Sequence, residues 1–239
     1  MKWLAKRLSN TRITVEGISY EALKETFNFT PRSSKIFVKP SQLVRTYTTS
    51  TELGGRSHLS RIQSLSKEIR SKLLFDGAKT VELDYRSMHL FLLYRWIGQT
   101  LDYSLFPNND PYDIGQKYGL DRSQIKECFT AALGEGSESD FLSHTNYHDR
   151  QHAGFSAKDR KRALECLLEA HPLIRPYVFK NVSGKLQRED SEIALNVLRF
   201  LMDQDIPVIP VHESFIVKKR HAEILYEIME ACLPRCHVH

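Results

Sequence analysis

The sequence predicts an α+β fold in which helices pack on an antiparallel sheet. An apolar run over residues 80–84 has the character of a strand, and an amphipathic helix over residues 87–97 follows it directly. A second apolar segment, residues 208–217, has the pattern of a strand pair, with several helical segments in between. Strands that are remote in the sequence, yet must meet in one sheet, are typical of this class.

Turn signals divide the N-terminal part of the chain. Residues 1–50 mix short β-like runs with Thr and Ser clusters. Gly54 and Gly55 mark a point where the backbone bends or approaches another group closely. Asp76-Gly77 predicts a tight hairpin turn before the first strand.

Capping residues define the helices that follow. Asp110-Pro111 predicts the start of a short helix, because Pro suits the first helical position. Asp121 predicts the N-cap of a helix from Arg122 toward Leu133. Residues 137–158 are polar and predict a loop, and the remaining helices are predicted over about 157–170, 187–203 and 221–233.

Composition indicates a globular protein with a mildly basic surface. The chain has 239 residues, of which 41% are hydrophobic and 26% charged, and its formal net charge is +5. This charge is compatible with a polyanionic partner. No apolar run approaches the ~20 residues of a membrane span, so we expect a cytoplasmic protein without a membrane partner. Its four cysteines fit reduced thiols in that compartment.

Two clusters contain residue types that bind metals, but their spacing is irregular. We favour a solvated loop for the first and a frayed tail for the second, with a metal site as the alternative for each. These clusters are His144, His148, Asp149 and His152 in the loop, and Cys232, Cys236, His237 and His239 in the tail.

Two carboxylates on different strands are the main candidates for chemistry. Asp84 ends the first strand, and Glu213 lies between Val211 and Phe215, where a charge is costly unless it is paired or bound to a metal. Such a pair can hold Mg²⁺ ions ~4 Å apart that bridge attacking and leaving oxygens. The alternatives are a helix N-cap for Asp84 and an exposed hairpin tip for Glu213. We expect Glu82 to point to the opposite face of its strand, outside this site.

Two cations lie four residues apart on the helix that follows Asp121. Arg122 and Lys126 therefore project from one face of that helix. Such a pair suits a triphosphate, which needs several cations to offset its charge. An ordinary solvated basic face is the alternative.

These segments resemble the palm and fingers of family A DNA polymerases, the class of bacterial DNA polymerase I, with some likeness to single-subunit phage-type RNA polymerases. Residues 84–89 read Asp-Tyr-Arg-Ser-Met-His and resemble the family's Asp-Tyr-Ser-x-x-Glu motif. Residues 212–214 read His-Glu-Ser and resemble its His-Asp-Glu or His-Asp-Ser motif. Arg122 and Lys126 match its fingers-helix motif.

Shorter matches occur in the same order as in the family. Residues 55–57, Gly-Arg-Ser, resemble a Gly-Arg-Leu-Ser element, and residues 110–113 resemble the segment before the fingers helix. Leu186-Gln187 resembles a Met-Gln pair. The resemblance covers roughly residues 54–230.

The resemblance implies a role for each matching residue. Asp84 and Glu213 would hold two Mg²⁺ or Mn²⁺ ions, with the backbone carbonyl of Tyr85 also touching metal. Arg122 and Lys126 would bind the triphosphate, and Lys126 would also protonate the pyrophosphate leaving group. The residues implied to contact nucleic acid are Arg56, Gln187 and His212, and those implied to lie at the nucleotide are Tyr85 and His89.

The chain departs from the family pattern at several of these positions. Glu213 replaces a catalytic Asp, and its extra methylene moves the oxygens by ~1 Å, which matters because phosphoryl transfer depends on metal position. His89 stands where the family has a sugar-discriminating Glu. Thr130 and Gly134 replace aromatic residues of the fingers helix.

The implied organisation has four parts. Residues 1–53 are an N-terminal extension with a reduced or absent thumb, and residues 54–109 are the first part of the palm. Residues 110–160 are small helical fingers with a loop, and residues 161–239 complete the palm.

The expected activity is nucleotidyl transfer on a DNA primer-template with nucleoside triphosphates, by a DNA polymerase or a primase-like enzyme. The expected setting is phage or plasmid replication, with a replication protein as a further partner. The alternatives are a catalytically degenerate fold that binds nucleic acid and a metal-dependent nuclease.

Overall fold

A computed structural model describes residues 2–17, 44–47, 50, 52–58, 61–143 and 156–239. The chain forms two compact units, of which the first comprises Met1–Arg86 and Arg188–His239 and the second comprises Ser87–Gln187. The first unit contains a sheet with helices, and the second is mainly helical. The predicted α+β class is confirmed.

The first unit is built on an antiparallel sheet. The described strands are β1 Ile13–Val15, β2 Val44–Tyr47, β3 Gly54–His58, β4 Leu73–Phe75, β5 Ala78–Asp84, β6 Ile209–Val211 and β7 Ser214–Lys218. Within the described residues the sheet has five strands in the order β1-β4-β5-β7-β6, and each neighbouring pair is antiparallel. Two further strands, β2 and β3, form a separate antiparallel ribbon.

Both predicted hairpins are present, and each turn contains at least one residue with positive φ. Asp76 (φ 52°) and Gly77 (φ 82°) join β4 to β5, as a two-residue hairpin turn of the mirror-image type requires. His212 (φ 55°) and Glu213 join β6 to β7. The second hairpin lies beside β5, so strands distant in sequence meet as predicted.

Among its described residues, the first unit also contains four α-helical segments. The helices are α1 Lys2–Asn10, α2 Lys67–Arg70, the C-terminal part of α7 Ser183–Asp203, and α8 Ala222–Cys232. α8 packs against β5 and β7. The Tyr85 hydroxyl donates a hydrogen bond of 2.6 Å to the carbonyl of Met229 in α8, and both residues are buried. One face of the central strands is therefore closed by α8.

The second unit consists mainly of helices. They are α3 Met88–Trp96, α4 Arg122–Gly134, α5 Glu138–Ser143, α6 Ala157–Ala170 and the start of α7, with 3₁₀ turns at Tyr103–Leu105, Pro107–Asn109, Gln116–Tyr118 and Pro172–Tyr177. α4 packs against α6. The predicted N-cap of α4 at Asp121 is confirmed, because Asp121 and Gln124 form a reciprocal capping box.

Two predictions for this unit are wrong. Residues 111–114 form turns instead of a helix, because an Asp110 carboxylate oxygen accepts the backbone N–H of Tyr112 and bends the chain. Part of the predicted loop at 137–158 is the helix α5, where Ser137 accepts the N–H of Asp140. The loop residues His144, His148, Asp149 and His152 lie outside the described residues.

The prediction that the C-terminal tail is frayed is also wrong. The backbone of Asp84 exchanges two hydrogen bonds with His239, of 2.8 and 3.0 Å, and the N–H of Arg86 donates to His237 at 2.7 Å. The buried Cys236 thiol donates to the carbonyl of Arg86 at 3.6 Å. The tail is held because it pairs with the end of β5 that extends past β4. Within the described ranges, no three Cys, His, Asp or Glu side chains are arranged to hold a metal ion.

Among the described residues, no helix combines the length and the apolar character that crossing a bilayer requires.

Candidate active site

The sheet brings the two predicted carboxylate residues together at the level of the backbone. In the β5–β7 pair, Asp84 lies directly opposite Ser214. The N–H of Tyr85 donates to the carbonyl of Glu213 at 3.4 Å. Asp84 and Glu213 are thus backbone neighbours at the same end of two paired strands. Their carboxylates and the Tyr85 carbonyl are oxygen donors of the kind that Mg²⁺ and Mn²⁺ prefer, so the residues fit such an ion. Shared binding of metal stays a prediction.

The structure disfavours the simpler explanations for these two carboxylates. The N-cap of α3 is Ser87, with φ 54° and no side-chain capping bond, whereas Asp84 belongs to β5. Asp84 is therefore not the cap of that helix. Glu213 is partly buried, and the exposed residue of its turn is His212. His212 is predicted to lie near a primer terminus, and its exposure is compatible with that role.

Glu82 faces the same side of the sheet as Asp84, so the prediction that it points away is wrong. Residues two apart on a strand share a face, and Glu82 lies two positions before Asp84. The Ser214 hydroxyl, on the strand opposite, donates to Glu82 Oε1 at 2.7 Å. Arg70 of α2 forms an ion pair with the same carboxylate at 2.8 Å.

The environment of Glu82 keeps it ionised. Burial by itself would raise the pKa of Glu82, but hydrogen bonds from Arg70 and Ser214 and the Arg70 charge outweigh burial. The pKa therefore lies below the ordinary value for Glu. A fixed negative charge accompanies Asp84 on this face of the sheet.

The Tyr85 ring belongs to the core. Its hydroxyl is bonded to Met229, and burial raises the pKa of Tyr85 far above the ordinary value. Tyr85 is predicted to contact both metal and nucleotide. Because its ring is buried, its backbone would make these contacts.

The predicted phosphate-binding cations lie on α4 in the second unit. Lys126 is exposed, and it lies one turn after Arg122. The side chain of Arg122 is 44% exposed and pairs with the buried carboxylate of Asp110. Its guanidinium carbon lies 5.8 Å from the ring centroid of Tyr112. Arg122 is therefore held in place and partly neutralised, whereas Lys126 points into solvent.

His89 and Gln187 also belong to the second unit. His89 is partly buried in the first turn of α3. Gln187 is partly buried in α7, immediately before Arg188. Their predicted contacts with nucleotide and nucleic acid stay predictions.

The ribbon that carries Arg56 packs on α7 in the first unit. Arg56 lies on β3, opposite Thr46, and its side chain is outside the described residues. The guanidinium of Arg188 lies 5.5 Å from the Tyr47 ring centroid and donates to the Tyr47 hydroxyl at 3.3 Å. The Ser191 hydroxyl donates to the carbonyl of Gly54 at 3.4 Å.

Comparison with known proteins supports the fold. No protein-family model matches the chain, and no curated protein matches it by sequence. The chain is structurally similar to the polymerase domain of Pol1 from M. smegmatis, solved in complex with DNA primer-template and dNTP. The two are 13% identical, with a TM-score of 0.54, and the match covers 92% of this chain and 49% of the other. The chain thus spans about half the length of that polymerase domain and has a polymerase-like fold.

Proposed function

We propose that the protein is a nucleotidyltransferase related to family A polymerases, which extends a primer or makes short primers on a DNA template in phage or plasmid replication. The adjacency of Asp84 and Glu213 at one end of the β5–β7 pair carries this proposal. The polymerase-like fold supports it, since the similar structure was solved with DNA and a nucleotide.

In this proposal each residue acts by position and charge. Asp84, Glu213 and the Tyr85 carbonyl would hold two Mg²⁺ or Mn²⁺ ions, which would supply charge neutralisation for the transfer. Arg122 and Lys126 bind the triphosphate, and the Lys126 ammonium donates a proton to the departing pyrophosphate.

The remaining residues bind the nucleic acid and the sugar. Arg56, Gln187 and His212 contact the primer-template, and His89 lies at the nucleotide sugar. A replication partner protein is a further proposed partner.

Incorporation of a labelled nucleotide into a primed template tests this function. Wild type should extend the primer only when Mg²⁺ or Mn²⁺ is added, and Asp84→Ala should abolish extension. Glu68→Gln removes an exposed carboxylate of α2 and is the matched control. Equal extension by wild type and Asp84→Ala, or extension in excess chelator, would contradict the proposal.

The second candidate is a nucleic-acid-binding protein without catalysis. Glu213 in place of Asp and the pairing of Arg122 with Asp110 favour it, since both weaken the resemblance to an active enzyme. If wild type and Asp84→Ala bind primed DNA equally and neither extends it, this candidate replaces the first. Binding should weaken steeply with salt if Lys and Arg contacts to phosphate dominate.

A further inference from the structure

A partly buried ion pair lies beside the candidate site, on the same face of the sheet. Arg70 Nε donates to Glu82 Oε2 at 2.9 Å, and Arg70 Nη2 donates to Oε1 at 2.8 Å. Both side chains are only 14% exposed. The third contact of the guanidinium, at 2.7 Å, is to the carbonyl of Leu65. This two-point geometry fixes the orientation of the Glu82 carboxylate.

Ser214 connects this ion pair to the turn that carries Glu213. Its Oγ lies 2.7 Å from Glu82 Oε1 and 3.0 Å from the carbonyl oxygen of Val211. The single hydroxyl proton can be donated to only one of these acceptors at a time. Val211 and Ser214 are paired across the two-residue turn, so the hydroxyl spans the base of that turn.

Glu82 and Ser214 lie beside both candidate carboxylate residues in the sheet. Glu82 precedes Asp84 by two positions on one strand, whereas Ser214 lies opposite Asp84 and follows Glu213 directly on the other. A shift of the β5–β7 pair or of the turn would therefore move Asp84 relative to Glu213.

We propose that Arg70, Glu82 and Ser214 position the strand ends that carry Asp84 and Glu213 and thereby set the affinity of that pair for a divalent cation. This inference rests on the proposed function. Both oxygens of Glu82 are already bonded to Arg70, and one also to Ser214, so Glu82 acts through its neighbours and is a positioning residue.

Mn²⁺ binding to the full chain tests the inference, with free Mn²⁺ followed by its paramagnetic resonance signal. Wild type should bind Mn²⁺, and Asp84→Ala should remove that binding. Glu82→Gln and Ser214→Ala should each weaken binding by about tenfold, the usual effect of removing a partner behind a metal ligand. Ser214→Thr, which keeps the hydroxyl, should retain more affinity than Ser214→Ala.

Glu68→Gln is the matched control. Glu68 is an ion-paired carboxylate on the same helix as Arg70, and its side chain is 80% exposed. It should bind Mn²⁺ as wild type does. The Mg²⁺ concentration for half-maximal primer extension should rise in Glu82→Gln and Ser214→Ala but not in Glu68→Gln.

Each outcome decides for or against the inference. A lower melting temperature with unchanged Mn²⁺ affinity in Glu82→Gln or Ser214→Ala means a purely structural role and overturns it. If Glu82→Gln does not fold, Ser214→Ala decides, since it removes one hydroxyl and leaves the ion pair. Absence of Asp84-dependent Mn²⁺ binding in wild type also overturns it. If wild type extends no primer but the variants still lose Mn²⁺ affinity, the proposed function fails and the positioning role stands.

Discussion

At the scale of single residues, Glu82 shows how one partly buried charge depends on its partner. Glu82→Gln leaves the Arg70 guanidinium without an opposite charge at its two hydrogen bonds, so it should lower the free energy of unfolding by about 1–3 kcal/mol. Glu68→Gln breaks an exposed pair and should cost less than about 1 kcal/mol. Urea denaturation of both variants measures the difference. Equal losses in the free energy of unfolding would contradict the role of Arg70 as the partly buried partner of Glu82.

Lys126 provides a residue-scale prediction about activity. It is exposed, so Lys126→Ala should change stability by no more than about 0.5 kcal/mol. If it protonates the leaving pyrophosphate, the rate of nucleotide incorporation should fall by about 10²–10⁴. Lys161→Ala, at an exposed lysine of α6, is the control and should extend primers normally. Wild-type rates in Lys126→Ala would remove this residue from the proposed mechanism.

At the scale of elements, the β4–β5 turn depends on a glycine in the left-handed region. Gly77 has φ 82°, and a Cβ there would meet no atom within 4 Å, so only backbone strain opposes a side chain. Gly77→Ala should therefore destabilise by about 1–2 kcal/mol. Gly136 is equally open and lacks a positive φ, so Gly136→Ala should be neutral or slightly stabilising. Similar effects of the two substitutions in thermal unfolding would contradict this reason.

Local signals account for the elements that the sequence predicts well. The Asp76-Gly77 turn, the Asp121 cap and the apolar strand at 208–217 each depend on neighbouring residues. The Glu82–Arg70 pair and the bonding of the tail to Asp84 join residues distant in sequence, and no local pattern encodes them. Of these long-range features, the side of the sheet that Glu82 faces could have been predicted, since residues two apart on a strand share a face.

At the scale of the whole molecule, His171 predicts how stability depends on pH. Its Nε2–H donates to the carbonyl of Pro111 at 3.0 Å. In the neutral ring Nδ1 then accepts from the Tyr94 hydroxyl, also at 3.0 Å. Both contacts suit the neutral ring. Burial lowers the pKa of His171 from its ordinary value of 6.5, outweighing the opposite effect of the bond to Pro111.

Below about pH 6.5 the unfolded chain therefore binds a proton that the folded chain does not. The stability contributed by neutral His171 should decrease as the pH falls below this value. His171→Gln should flatten the profile in this window, a change that unfolding at several pH values measures. His221, whose pKa is also lowered by burial, remains in both proteins and cancels in the comparison. An unchanged slope would show that His171 does not titrate in this way.

The central claim is that Asp84 and Glu213 hold the same ions, and a double-mutant cycle on the rate of Mg²⁺-dependent primer extension tests it most directly. Residues that act as one unit show strongly non-additive effects. Asp84→Asn and Glu213→Gln should each reduce the rate by about 10³-fold or more, and the double variant should be little slower than either single variant. A single variant with the wild-type rate, or losses that multiply in the double variant, would contradict the claim.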